Sequence, residues 1–156
     1  MPISLRPVTN RDIGFLANVY ASTRRQELSQ TGWSEDEIEA FLNIQFEVQR
    51  QFYKETYENA RFDIIEAYGK SAGNFYVDRK PDEIRIIDIA LLPEYRNKGI
   101  ATHLIRELLA EARDKNLTVH VHVEQGNPAI SLYRRLGFKQ IETRGIYRLM
   151  EKRPRT

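Results

Sequence analysis

Leu91-Leu92-Pro93-Glu94-Tyr95-Arg96-Asn97-Lys98-Gly99-Ile100-Ala101-Thr102 is the stretch on which the fold turns. An apolar strand runs into a proline stop. A basic, glycine-bearing turn follows, and then a helix whose apolar residues recur at helical spacing. That order points several backbone N–H groups and the positive end of a helix at one spot, and such a spot suits phosphate. Gly99 lets the backbone approach an anion with no side chain in the way. Taken alone, the turn also reads as an ordinary strand-to-helix connection in which Gly99 only helps to start the helix.

Working outward, Ile84 to Leu92 reads as the longest and most apolar strand, which places it at the sheet centre. Ile100, Leu104, Ile105, Leu108, Leu109 and Ala112 give the following helix one apolar face, and Asn116 ends it. Leu117 to Val123 then alternates apolar residues with His120 and His122. A strand, a helix and a strand joined at this length force parallel pairing with a right-handed crossover. Ligands of such sheets sit beyond the carboxyl ends of the strands, where the Arg96 turn lies. Pro128 to Leu136 is a short helix stopped by Gly137, and two last strands flank a turn near Thr143-Arg144-Gly145.

On the N-terminal side, Ile3 to Val8 reads as a first strand. Thr9 with Asp12, and Ser34 with Glu37, have the spacing of capping boxes at the heads of two helices. The first helix carries Ile13, Leu16, Val19 and Tyr20, and Gly32 breaks the pattern. The second carries Ile38, Phe41, Leu42, Phe46, Phe52 and Tyr53 on one face and reaches about Tyr57. The period then becomes that of strands at Phe62 to Tyr68 and Ala72 to Val77. Turns are expected at Gly69-Lys70-Ser71 and Lys80-Pro81-Asp82.

A chain of 156 residues suits one domain, expected over residues 1–156. Hydrophobic residues at 41% and charged residues at 29% argue for a soluble globular protein and against disorder. No apolar run approaches the ~20 residues that span a bilayer, so no membrane partner is expected. The start lacks a long apolar stretch of signal type, so the expected compartment is the cytoplasm. The absence of cysteine excludes disulfides, zinc–thiolate sites and thiol nucleophiles. The net charge of +2, with no interleaved basic and aromatic residues, gives no reason to expect nucleic acid. Of the 24 basic residues 17 are arginine, which suits bidentate contact with carboxylate or phosphate, although most are expected to be surface. Lys152-Arg153-Pro154-Arg155 reads as a frayed, solvated end.

Arg96-x-x-Gly99-x-Ala101, between that strand and that helix, resembles the pyrophosphate-binding signature Q/R-x-x-G-x-G/A of the GNAT superfamily of acetyl-CoA-dependent N-acetyltransferases. Asn127-Pro128-Ala129-Ile130-Ser131-Leu132-Tyr133-Arg134-Arg135-Leu136-Gly137-Phe138 resembles the N-P-A-x-x-L-Y-x-x-L-G-F segment of many of its members. The resemblance covers about Ile84 to Phe138. The whole chain is similar to a bacterial group in that superfamily with Tyr20-x-Ser22-Thr23-Arg24-x-x-Glu27-Leu28 and a Met150-Glu151-x-x-Pro154 ending.

What the resemblance implies is an α/β fold of GNAT type. It would have a mixed sheet of six or seven strands, antiparallel at the start and parallel at a splayed centre, flanked by about four helices. Acetyl-CoA is the implied cosubstrate. Arg96, Asn97, Lys98, Gly99, Ile100, Ala101 and Thr102 would hold its pyrophosphate. Ile89, Ala90 and Leu91 would pair their backbone with the pantetheine arm, which is strand addition by a ligand. Asn127 caps its helix and would also touch that arm. Tyr133, otherwise a core aromatic, would protonate the leaving thiolate.

Acetyl transfer to an amine needs a base, a polarised carbonyl and a proton for the thiolate. His120, His122 and Glu124 alternate along one strand and so share a face. His122 stands where the similar ribosomal-protein alanine acetyltransferases carry a catalytic glutamate, five residues before Asn127. His122 or Glu124 is therefore the expected base, with half-buried strand histidines as the plain alternative. A metal site is not expected, because three residues along one strand converge poorly on one ion. Asp88 interrupts an apolar strand and either anchors an amine, partners a neighbouring histidine, or pairs with Arg79, Arg85 or backbone. Glu27, Trp33, Asp88 and Glu124 are the candidate contacts to the acceptor, with Arg24, Arg25, Gln45 and Gln49 in the same region. The expected activity is N-acetylation of a small-molecule or peptide amine, by a monomer or a homodimer. An acyl-CoA-binding sensor without turnover is the alternative.

Overall fold

The computed structural model describes residues 2–154. The strands are β1 (Ile3–Pro7), β2 (Arg61–Ala67), β3 (Lys70–Arg79), β4 (Glu83–Leu91), β5 (Thr118–Glu124), β6 (Lys139–Arg144) and β7 (Tyr147–Lys152). The helices are α1 (Ile13–Ser29), α2 (Glu35–Thr56), α3 (Ile100–Asp114) and α4 (Ala129–Arg135), with short 3-10 turns at Asn10–Asp12 and Pro93–Tyr95. The strands form one sheet in the order β1-β2-β3-β4-β5-β7-β6. β4 is the fourth of seven, as its apolar run implies, although β3 is one residue longer. The crossover through α3 makes β4 and β5 parallel, with Glu83–Ile86 in register with Thr118–Val121. The pairs β1–β2, β5–β7 and β6–β7 are antiparallel.

The chain divides into two compact units. The first comprises the residues to Phe75 together with Ile89–Arg96. Both expected capping boxes are present: Thr9 with Asp12, and Ser34 with Glu37. The first opens a 3-10 turn that leads into α1, and Asp12 is additionally gripped by Arg6 through two bonds of 2.8 and 2.9 Å. Leu16 and Val19 of α1, Ile38, Leu42 and Phe46 of α2, and Ile64 and Ile65 of β2 are buried. Each such aliphatic side chain contributes roughly 1.5–3 kcal/mol on burial.

Phe52, expected on the buried face of α2, is instead 55% exposed. It lies six residues past Phe46, which at about 100° per residue turns it some 120° off that face. Ile44 and Val48 are also exposed, so α2 carries apolar residues on more than its core stripe. Gly73 of β3 faces the backbone of Ala90 so closely that an added Cβ would stand 2.0 Å from the Ala90 carbonyl oxygen.

The second unit comprises Tyr76–Asp88 and the residues from Asn97 on. Its core is Ile84 and Ile86 of β4, Ile100, Leu104, Ile105 and Leu108 of α3, and Val119, Val121 and Val123 of β5. Strand alternation therefore turns Thr118, His120, His122 and Glu124 to the opposite face of β5. The C-terminal segment is less frayed than its composition suggests. Lys152 lies within β7 beside Gly137, and Arg153 bonds Glu151 at 2.8 Å, while Arg155 lies outside the described residues.

Candidate active site

The turn before α3 is built from left-handed residues. Asn97 has φ 59° and Gly99 φ 82°. Gly99 is the N-cap of α3 and supplies no side chain to it. The first helical bond runs from the His103 N–H to the Gly99 carbonyl at 3.0 Å. The N–H groups of Ile100, Ala101 and Thr102 thus precede the helical ladder. Where Ser34 caps α2, nothing of the kind caps α3. The residues present fit an anionic ligand: bare amides, a helix's positive end and the exposed Lys98 occur together.

The Arg96 side chain has partners within its own unit. Its Nε donates to the Leu91 carbonyl at 2.9 Å, and its Nη2 donates to Ser22 Oγ at 3.2 Å. Within its unit it ties the end of β4 to the middle of α1. Nothing in the sequence marked Ser22 as its partner. Ile89 and Ala90 are half-buried and Leu91 is buried, so the Leu91 side chain belongs to the core.

Asn127 performs the capping expected of it. Its Oδ1 accepts from the Ala129 N–H at 2.9 Å and its carbonyl from the Ile130 N–H at 3.1 Å, which leaves the side-chain NH2 to donate elsewhere. Tyr133 is 3% exposed, with its ring edge-on to Phe138 at 5.1 Å between centroids. Burial, and secondarily the negative charge of Asp88, push its hydroxyl well above the usual phenol range. Tyr133 therefore keeps its proton at rest.

On the half-buried face of β5, opposite that core, His120 sits between carboxylates on both neighbouring strands. Its Nδ1 lies 3.6 Å from Glu83 Oε1 and its Nε2 lies 3.4 Å from Glu151 Oε1. His122 Nδ1 lies 2.8 Å from Arg85 Nη1. Burial first, and then the charge of Arg85, lower the pKa of His122 below the ordinary histidine value. Glu124, the last of the row, is exposed. Arg79 pairs with Glu111, and Arg85 with Glu83 and His122.

The second unit thus holds Asp88, Asn97 to Thr102, His122, Glu124, Asn127 and Tyr133, and the first holds Ile89, Ala90, Leu91, Arg96, Glu27 and Trp33. Glu27 is exposed, and Trp33, 42% exposed, packs its ring on Phe41 at 5.3 Å. Neither bonds to Leu91 or Arg96 among the described residues. Neither Gly73 nor Arg85 as partner of His122 stands out in the sequence, although a glycine inside a strand pattern is a signal for the former. A cavity of about 340 Å³ lined by Leu109, Ala112, Arg113, Leu117, Lys152, Arg153 and Pro154 contains none of the candidate residues. Among the described residues no cluster of three or more His, Asp or Glu side chains suits a metal ion, and no helix is long and apolar enough to cross a membrane.

Two parallel strands joined through an uncapped, glycine-headed helix define an α/β protein. Residues 30–138 match the family described as Acetyltransferase (GNAT) family, and the chain belongs to it. The mouse protein named cysteine-rich protein 2-binding protein is 36% identical over 84 residues, which cover 52% of this chain and 10% of that one. The ribosomal protein bS18-alanine N-acetyltransferase of Haemophilus influenzae is 31% identical over 67 residues, covering 42% of this chain and 46% of that one. The chain therefore spans less than half the length of these curated relatives. Among solved structures, the PaiA N-acetyltransferase of Thermoplasma acidophilum, in complex with coenzyme A, superposes with a TM-score of 0.73. The two are 21% identical, and the match covers 98% of this chain and 99% of that one, a likeness of fold.

Proposed function

We propose that this chain is an N-acetyltransferase that moves an acetyl group from acetyl-CoA to a primary amine by direct attack. The observation that carries this reading is the uncapped head of α3 with left-handed Asn97 and Gly99 before it, in a chain of the GNAT family. We read residues 1–156 as one transferase domain, since the family match runs through both units. The lack of cysteine suits a cytoplasmic setting.

In this reading the amides from Asn97 to Thr102 hold the pyrophosphate. The backbone of Ile89, Ala90 and Leu91 pairs with the pantetheine arm, and the Asn127 NH2 donates to it. Arg96 acts through Leu91 and Ser22, positioning the strand end. Tyr133 hydrogen-bonds the departing sulfur. Its raised pKa makes full transfer to a thiolate of ordinary pKa, about 8.5, uphill, so its contribution is a hydrogen bond to the developing thiolate.

Glu124 is the exposed carboxylate of the row and takes the amine proton directly or through water. Such a base suits an α-amino group better than a lysine-type amine. Deprotonation at pH 7 costs about 1 kcal/mol for the former and about 5 kcal/mol for the latter. A peptide N-terminus, in line with the alanine named for the Haemophilus relative, is the first acceptor to try. Glu27, Trp33 and Asp88 remain the candidate acceptor contacts.

The test is a free-thiol assay with acetyl-CoA against peptide N-termini, polyamines, amino acids and aminoglycosides. Turnover with one class supports the reading. Coenzyme A binding with no thiol release from any class would make the protein an acyl-CoA sensor instead. Tyr133→Phe is expected to lower kcat by about 10²-fold while leaving CoA affinity within a factor of about two.

A further inference from the structure

Arg85 of β4 and His122 of β5 touch at 2.8 Å, Nη1 to Nδ1, while Arg85 Nε also donates to Glu83 Oε1 at 3.3 Å. A guanidinium has five N–H donors, no acceptor, and keeps its charge at any ordinary pH. The one hydrogen bond this pair can form therefore runs from Arg85 to a lone pair on Nδ1. The single proton of the neutral ring must then sit on Nε2. A second proton has only Nδ1 to go to, where it would confront the guanidinium. The charged groups acting on the ring are Arg85 on β4, Arg144 and Glu142 on β6, and His120 on β5. All but Glu142 oppose a positive ring. The residue opposite on β7 is the apolar Leu149.

We propose that Arg85 is a positioning residue that holds His122 as its neutral Nε2–H tautomer, so that His122 serves acetyl transfer as a hydrogen-bond donor and not as the general base. A base needs an unshared lone pair, and the one on His122 is committed to Arg85. The remaining N–H is of the kind that orients or polarises a carbonyl oxygen. This rests on the transferase reading, because it assigns His122 a part in that reaction. The tautomer itself is measured without substrate.

The chain has three histidines, so a long-range proton–nitrogen spectrum of the uniformly 15N-labelled protein is tractable, with His103→Asn and His120→Asn to assign it. The expected result is an unprotonated Nδ1 and a protonated Nε2 on His122 throughout the neutral range. In Arg85→Met both nitrogens should shift toward a common averaged position, and the ring should titrate at higher pH. Arg85→Lys keeps the charge without the planar fork and should fall between the two. Should Arg85→Met fail to fold, the wild-type spectrum and Arg85→Lys still decide.

A proton on Nδ1 in the wild type, or variants indistinguishable from it, overturns the pairing. In His122→Gln, which retains an N–H donor but no base, the acidic limb of kcat against pH should keep its position with acetyl-CoA and an alanine-terminated peptide. Loss of that limb would make His122 the base and end the proposal. Failure of every amine to react overturns the transferase reading and the catalytic part of this one, while the spectrum still reports on the pairing.

Discussion

Asp12 illustrates how much one side chain fixes. It closes the Thr9 capping box and takes two bonds from Arg6, and it is 7% exposed. The Arg6 bonds chiefly, and then the Thr9 N–H, hold its pKa far below the ordinary carboxylate range, against the effect of burial. A depressed pKa stabilises the fold at pH above the unfolded value of about 3.9, and that stability is lost as pH falls below it. Asp12→Asn is expected to cost about 1.5–3 kcal/mol at pH 7 in denaturant titrations. The gap to wild type should narrow as pH drops below about 4, and a gap that widened there would contradict the assignment. The spacing of Thr9 and Asp12 was visible in the sequence. Arg6 was not, because no capping pattern includes a residue six positions before the carboxylate. Arg96 makes the same point: its motif identified the loop, whereas its bonds to Leu91 and Ser22 came only from the fold.

Elements were legible where periodicity and capping agreed. The amphipathic stripe of α3, its stop at Asn116, and the Asn127-Pro128 start of α4 all appear where the pattern placed them. α2 was legible in extent but not in facing, since its apolar residues occupy more than one side. Two glycines separate backbone geometry from space filling. At Gly99 the φ of 82° is the constraint. Gly99→Val should lose roughly 1–2 kcal/mol of stability from left-handed strain and abolish the heat of coenzyme A binding in calorimetry. Lys98→Ala, which leaves the backbone intact, should weaken binding without abolishing it. At Gly73 the constraint is the Ala90 carbonyl 2.0 Å from an added Cβ. Gly73→Ala should cost about 1–3 kcal/mol by overpacking, with faster amide exchange at Leu92, whose N–H bonds the neighbouring Ala72 carbonyl at 2.9 Å.

At the scale of the whole molecule, binding and stability are linked. A ligand held by the folded chain alone adds about 2.7 kcal/mol at a hundredfold excess over Kd. For a chain of this size that corresponds to a Tm increase of roughly 5–10 °C with saturating coenzyme A in a thermal melt. An unchanged Tm would argue against any coenzyme A site. The order of elements, the parallel crossover at α3 and the glycine-headed turn before it were legible in the chain, because they depend on spacing within 10 or 20 residues. Tertiary structure alone decided which hydrogen bonds the polar side chains make. Arg85 meets His122 across neighbouring strands, Arg96 reaches Ser22 from 74 residues away, and Glu83 and Glu151 flank His120. Those contacts depend on strand register and crossover, and a side chain's protonation and role follow from the partner that register delivers.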